Sequence, residues 1–510
     1  MRTRIRIAFQ AVLLFLVASC TDIDTKLEEM VPADATGVIC VDVPQIMEKS
    51  GLVSDGKLQF PEILKQAMEK TDESFLSLIL SDAAKSGIDI NNRLYIFFAN
   101  KTFSTVVLAS VDDNKKMESL LQRRFDGKLT EHDGLKVIKN DDVVCALGDG
   151  ILLVAQLGKD EDLDKAADIA RSIISGSQPT LFADKNLKTF FSQGHAISAF
   201  LKHDGMLRLL KTVSNAGRKV ERMSALSLFA DSGIDVIKAS VQIQDHVVAL
   251  NADIIADKKS DYVQLMEKTL SHADNSFLKA VPVSMKYVAS ASIKGEQILS
   301  LKPVQELLKM AKAKPYIGYL DYEGIVAGID GPIAVAASPD DTFDGEWNGV
   351  MVMKSKYPEQ IVNHISSFAS AMGQSPQVVK GEYIYEYYNK AITMGLNGDN
   401  LYIKMLNYEQ TEGYADQNKE AAEFFAKSPL GVFIQWGKGS QAVTVTAGLE
   451  TPEKLTATFR PADANGNPAL LLLKTLCELK PMGKFSADDD SESDEFMQSG
   501  AIDGLRPVAQ

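Results

Sequence analysis

Basic residues are scarce relative to acids: 54 Lys and Arg stand against 68 Asp and Glu in 510 residues, a formal charge of −14. Such a surplus repels phosphate backbones and anionic lipid, so nucleic acid is excluded as a partner. Cysteine is scarcer still, four in all, with two tryptophans and six histidines. Cysteines without a CxxC spacing give neither a disulfide framework nor a zinc site. His132, His195, His203, His246, His272 and His364 contain no i, i+4 pair of the HExxH kind. There is no GxSxG elbow. The glycines from Gly431 to Gly437-Lys438-Gly439 have the wrong spacing for a phosphate loop, and no Ser or Thr follows the lysine. Asp160, Asp162 and Asp164 open like a calcium loop, but Lys165 stands where that loop needs glycine and Arg171 where it needs a bidentate glutamate. They read instead as acids at a helix start, where the dipole favours them. No metal and no cofactor is implied.

What is present begins at the N-terminus. Arg2, Arg4 and Arg6 precede an apolar stretch from Ile7 to Ala18, the pattern of an export signal. Leu16-Val17-Ala18-Ser19-Cys20 resembles the bacterial lipobox, which makes residues 1–19 a lipoprotein signal peptide and Cys20 the acylated first residue of the mature chain. More than one acyl chain on Cys20 would hold the protein to a membrane stably. The expected location is the cell envelope at the outer membrane, with periplasmic and surface-facing orientations both open. No later run reaches the ~20 apolar residues a spanning helix requires. Cys40, Cys145 and Cys477 remain, each in an apolar run that reads as buried, and a disulfide between two of them stays open.

A composition 45% hydrophobic and 24% charged is globular, and the length suits two to four domains. Past a tether at 20–30 the chain resembles itself at a separation of about 245 residues. Thr105 to Val111, then Met117, Leu121 and Phe125, aligns with Gly349 to Ser355, then Ile361, Ile365 and Ala369. In both, a period-2 strand becomes a period-3.6 helix. Gly148-Asp149 and Gly398-Asp399 fall at matching hairpins, where positive φ is needed. Val31-Pro32 and Val281-Pro282 each lead into a strand. The pattern predicts an α+β fold of two tandem similar domains, each a mainly antiparallel sheet with helices packed on one face. Their bounds are 31–256 and 281–485, joined by a helix at 257–280 with Tyr262, Leu265, Met266 and Leu270 on one side. Residues 486–510 contain an acidic run that cannot repay its ordering entropy and is expected to be disordered.

Tyr383, Tyr385 and Tyr387 alternate, so they share one face of a strand, and Tyr316, Tyr319 and Tyr322 form a second group. Such rows can stack on sugar rings or peptide side chains and form a candidate ligand platform. Cross-strand packing is the competing explanation. With the lipobox, the Val31-Pro32-Ala33-Asp34-Ala35 entry, the helix pattern ending Lys49-Ser50-Gly51-Leu52 and the doubled halves, the chain resembles a Bacteroidetes lipoprotein family catalogued as domain of unknown function 4836. That resemblance implies an envelope location and transfers no catalytic residue. The residues favour a non-enzymatic binding or scaffold protein anchored through Cys20, its partner an envelope protein or a glycan. The alternative is an envelope or polysaccharide hydrolase with paired carboxylates ~5 to 10 Å apart.

Overall fold

The computed structural model describes residues 24–54, 57–58, 87–89, 91–98, 103–125, 129–132, 134–140, 143–157, 163–207, 232–312, 321–339, 347–371, 373–387, 390–407, 414–437, 442–463 and 465–478. The signal segment with Cys20 and the acidic tail at 486–510 lie outside the described residues.

Among the described residues twenty strands form one sheet. The first ten are β1 (Gly37–Val41), β2 (Leu94–Phe98), β3 (Phe103–Ser110), β4 (Thr130–His132), β5 (Leu135–Asn140), β6 (Val143–Gly148), β7 (Ile151–Leu157), β8 (Ile197–Lys202), β9 (Ile234–Gln244) and β10 (Val247–Ala256). The last ten are β11 (Tyr287–Lys294), β12 (Ile329–Pro339), β13 (Trp347–Ser355), β14 (Gln377–Val379), β15 (Glu382–Tyr387), β16 (Lys390–Asn397), β17 (Asn400–Asn407), β18 (Leu430–Trp436), β19 (Val443–Thr451) and β20 (Lys454–Pro461). Helices are α1 (Asp24–Glu29), α2 (Val43–Ser50), α3 (Asn114–Phe125), α4 (Leu163–Ile174), α5 (Lys185–Phe191), α6 (Asp261–Thr269), α7 (Gly295–Ile298), α8 (Lys302–Lys312), α9 (Tyr322–Ala327), α10 (Pro358–Ala371), α11 (Lys419–Phe425) and α12 (Pro468–Glu478).

Every strand pair is antiparallel. From one end of the described sheet the order is β4-β5-β6-β7-β3-β2-β1-β8-β9-β10, and from the other β14-β15-β16-β17-β13-β12-β11-β18-β19-β20. The two runs meet where β10 pairs with β20, from Val248 opposite Phe459 to Asp253 opposite Lys454. Two sheets, one per half, were expected. The ladder instead runs through the seam, because two long strands with unsatisfied edges lie side by side.

Helices also cover both faces, not the single face expected. On one face α1, α4 and α5 pack Leu27, Ala166, Ala170, Leu187 and Phe191 against Val38, Phe97, Leu108 and Leu153. On the opposite face α2 and α3 pack Ile46, Met47, Met117 and Leu121 against Val41, Ile96, Val107 and Leu152. The reason is visible in β2, Leu94-Tyr95-Ile96-Phe97-Phe98, which is buried at all five positions. A strand apolar in both phases needs cover on both sides.

The last described helix, α12, closes the structure across a long sequence distance. Asn467 accepts the Leu470 N–H (3.0 Å) and donates from its amide to the Lys49 carbonyl (2.8 Å) near the end of α2. That seats α12 over the seam, where Leu471 packs with Val248, Val443 and Phe459. The link between the halves is ordered as well. Ser260 caps α6 by accepting the Val263 N–H (3.3 Å), and the Tyr262 hydroxyl donates to the Pro452 carbonyl (2.7 Å). Tyr262 packs inward with Ile237 and Ile254, whereas Leu265 faces solvent.

Phe459 is the large side chain at the seam, 8% exposed. Phe459→Ala is expected to cost about 3–5 kcal/mol through the cavity left under α12, read as a lowered denaturant midpoint. A loss well under 1 kcal/mol would show that α12 does not hold the seam.

Candidate functional site

Side chains alternate across a sheet, so the register assigns each residue a face. One row across β18, β11, β12, β13 and β17 reads Val432, Ala289, Val335, Met351, Ile403. The next reads Ile434, Tyr287, Ala337, Gly349, Met405. Neither row contains a charged residue. Val335 is 53% exposed, and Met351, Met405 and Val432 are exposed beside it. Trp347, 48% exposed, borders the patch and tilts against Tyr287 with ring centroids 5.7 Å apart. Trp436 and Leu430 extend the surface along β18.

The same rows in the first ten strands are closed. Ile39, Ile96 and Val107, then Val41, Leu94, Ala109 and Leu152, lie beneath α2, α3 and Leu470 and Leu473 of α12. The difference has a local cause. α2 has eight residues, begins on an Asp42 cap and ends at Gly51 with φ 72°, whereas α7 has four residues and no side-chain cap. α12 is already seated on the first half through Asn467. Among the described residues no helix covers this apolar sheet face, and contiguous exposed apolar surface is uncommon on soluble monomers.

The tyrosines singled out from the sequence are placed elsewhere. Tyr383 and Tyr385 are half-buried with Ile361, Val362 and Ile365 of α10 above them. The Tyr385 hydroxyl donates to Ser366 Oγ at 3.5 Å. Tyr387 ends β15, Tyr322 is half-buried at the start of α9, and Tyr316 and Tyr319 lie outside the described residues. Val335, Met351, Met405 and Val432 were not singled out. Their strands are apolar in both phases, as in Val350-Met351-Val352-Met353, so the sequence marks them for burial and hides which side stays open.

On the other face of the second half, a tyrosine the sequence did not flag organises a polar cluster. The Tyr402 hydroxyl donates to Glu382. Lys404 Nζ lies 4.2 Å from the Tyr402 ring centroid and 5.4 Å from that of Tyr414. Burial lowers the Lys404 ammonium below its ordinary range, with Glu382 opposing. The cluster satisfies itself through cation–π contact and a charge-assisted hydrogen bond. In the first half, Asp89 accepts from the Asn91 N–H at 2.8 Å and from the Asn92 amide, and burial, then the nearby Asp89 charge, raises the Asp112 carboxyl above its ordinary range. Among the described residues no group of three or more His, Cys, Asp or Glu could hold a metal ion, and no helix is long and apolar enough to cross a membrane. Cys40 and Cys145 are buried on opposite faces, in separate clusters, and burial pushes the Cys145 thiol up to about 12.

Residues 27–144 match the family model described as Domain of unknown function (DUF4836), the family that the sequence was read as resembling. No curated protein matches the chain. Among solved structures the chain is similar to crystal form III of TP0453 at 11% identity, over 47% of this chain and 84% of that one, with a TM-score of 0.31. Crystal form IV of the same protein gives 12% identity over 44% and 79%, TM-score 0.29. Crystal form I gives 8% identity over 78% and 96%, TM-score 0.28.

Burial, and secondarily the bond to Glu382, raises the Tyr402 hydroxyl above the ordinary tyrosine range. The native state therefore keeps this proton after the unfolded chain has released its own. The stability so gained is present in full below about pH 10 and is lost as pH climbs through the raised native value. Tyr402→Phe is expected to flatten the fall in urea midpoint above about pH 10; an unaltered slope would show that this hydroxyl titrates freely.

Proposed function

We propose that the chain is a lipid-anchored envelope protein that works by binding, and that its partner docks on the open apolar face of β18, β11, β12, β13 and β17. The observation that carries this reading is the pair of uncharged rows around Val335 and Met351, exposed where the matching rows of the first half lie under helices. The acylated Cys20 read from the sequence would place this face outside the cytosol, close to other envelope proteins. A net charge of −14 sets the body off from anionic lipid, so the partner is a protein with an apolar surface of its own rather than the bilayer.

The scaffold is read as a duplication. Both ten-strand runs share one order of pairing. Pro32 bridges to Thr180 and Pro282 to Tyr414, and the preceding Val31 and Val281 carbonyls accept from Leu181 (2.9 Å) and Ala415 (2.8 Å). Asp184 caps α5 and Asn418 caps α11, and both helices end in Phe-Phe. On this reading one copy kept its helical cover and the other was freed to bind.

The test combines anchor and surface. Native envelopes carrying the parent chain, Cys20→Ala, or the double variant Val335→Lys with Met351→Lys would be crosslinked and the captured proteins identified. The parent is expected to carry an acyl mass and hold a stoichiometric partner. Cys20→Ala should leave the membrane fraction. The double variant should stay folded, since exposed substitutions change stability by about 0.5 kcal/mol or less, and should lose the partner. Undiminished capture by the double variant would overturn the surface assignment, and an unprocessed Met1 would overturn the anchor.

A further inference from the structure

A polar cleft of ≈ 520 Å³ opens between α5 and the strands β9 and β10, in the first half and on the sheet face opposite the apolar patch. Its size falls within the roughly 300–1,000 Å³ of small-molecule sites. The floor is set by register: Lys238 stands opposite Asp253, and Ser240 opposite Asn251. The wall is α5, which presents Asn186 and the half-buried Phe190, with Gln193 and His195 following in the turn to β8.

The imidazole at the back is fixed by two amides. Gln242 Nε2 lies 3.3 Å from His195 Nδ1 and can only donate, so Nδ1 accepts. His195 Nε2 then carries the proton and donates to Gln193 Oε1 at 3.1 Å. The ring is neutral, and burial, which lowers its pKa, acts in the same direction. Gln242 keeps its carbonyl and one N–H, and Gln193 keeps its whole NH₂, for a ligand.

The matching corner of the second half is shut. Arg460 Nη1 donates to Glu420 (2.8 Å) and ties α11 to β20; Asn186 occupies the Glu420 position in α5. Phe424 lies so close to Gly431 and Gly448 that a Cβ on either would sit 2.7 or 2.9 Å from its ring. In the first half the turn after α5 is one residue longer, 192–196 against 426–429, and Gly194 takes φ 69° within it. That residue brings His195 beside Phe190, ring centroids 6.1 Å apart, and leaves the space open.

We propose that this cleft binds a neutral polyhydroxylated ligand, one or two sugar rings of a glycan. Carboxamides offer a donor and an acceptor together, which is what vicinal hydroxyls require. Lys238 and Asp253 oppose each other in charge, so the cleft selects neither anion nor cation. The Phe190 ring supplies an apolar wall for the C–H face of a sugar. This site is independent of the apolar docking face.

The test is calorimetry and ligand-observed NMR on the mature chain with maltose, cellobiose and N,N′-diacetylchitobiose, with inorganic phosphate and spermine as charged probes. At least one neutral disaccharide is expected to saturate the protein. Gln193→Ala and Asn251→Ala should each weaken it tenfold or more, with thermal midpoints within about 3 °C of the parent. Gln193 is exposed, so its variant remains a fair test if Asn251→Ala unfolds. The Val335→Lys and Met351→Lys double variant should bind sugar as the parent does, which separates this site from the docking face. Absence of saturation by all three sugars at about 10 mM, phosphate or spermine binding in their place, or binding indifferent to Gln193→Ala would overturn the proposal.

Discussion

β10 and β20 pair along six residues, from Val248 opposite Phe459 to Asp253 opposite Lys454, and this seam makes one sheet out of two strand runs. Its two faces differ in chemistry. On one, Thr446 and Thr458 share a hydrogen bond of 2.7 Å beside Ser240, Gln242 and Asn251, a polar surface that water can satisfy. On the other, Val248, Val443 and Phe459 are apolar and must be covered. α12 provides that cover, and Asn467 sets where it lands by bonding its own helix and the Lys49 carbonyl together.

The placement of α12 has a consequence for the rest of the sheet. Leu470 and Leu473 join the cluster around Val41, Ile46 and Met47, completing the cover of the first half. In the second half α10 covers Tyr383, Tyr385 and Met394, but the strands between α10 and the seam keep Val335, Met351 and Val432 in solvent. Asymmetry of cover on strands that pair in the same order is what the proposed binding role of the second half rests on. The shut corner at Phe424 and the open one at His195 repeat that asymmetry on the opposite face, with the halves exchanged.

The local structure is recorded closely in the residues. The hairpins at Gly148-Asp149 and Gly398-Asp399 are present, one residue out of step with the sequence alignment. The first turn places Asp149 and Gly150 at φ 51° and 73°, the second only Gly398 at 61°. The first therefore fits a type I′ turn and the second a type II′, which shifts the match by a residue without changing the hairpin. The strand-to-helix switch at β3 and α3 recurs at β13 and α10, as the change of hydrophobic period indicates. The tyrosine row was legible as a row, since Tyr383 and Tyr385 do share a face; that α10 covers it was not legible.

Strand, hairpin and cap positions were determined by the sequence alone, because each depends on φ preferences, side-chain period and one or two neighbouring hydrogen bonds. Tertiary structure alone decided that the halves share one sheet, that helices lie on both faces, and which apolar face is left uncovered. Those outcomes depend on contacts such as Asn467 with Lys49 and Phe459 with Val248, between residues far apart in the chain. A strand that is apolar in both phases states that it wants cover on two sides, but the helix that supplies it is chosen by packing elsewhere.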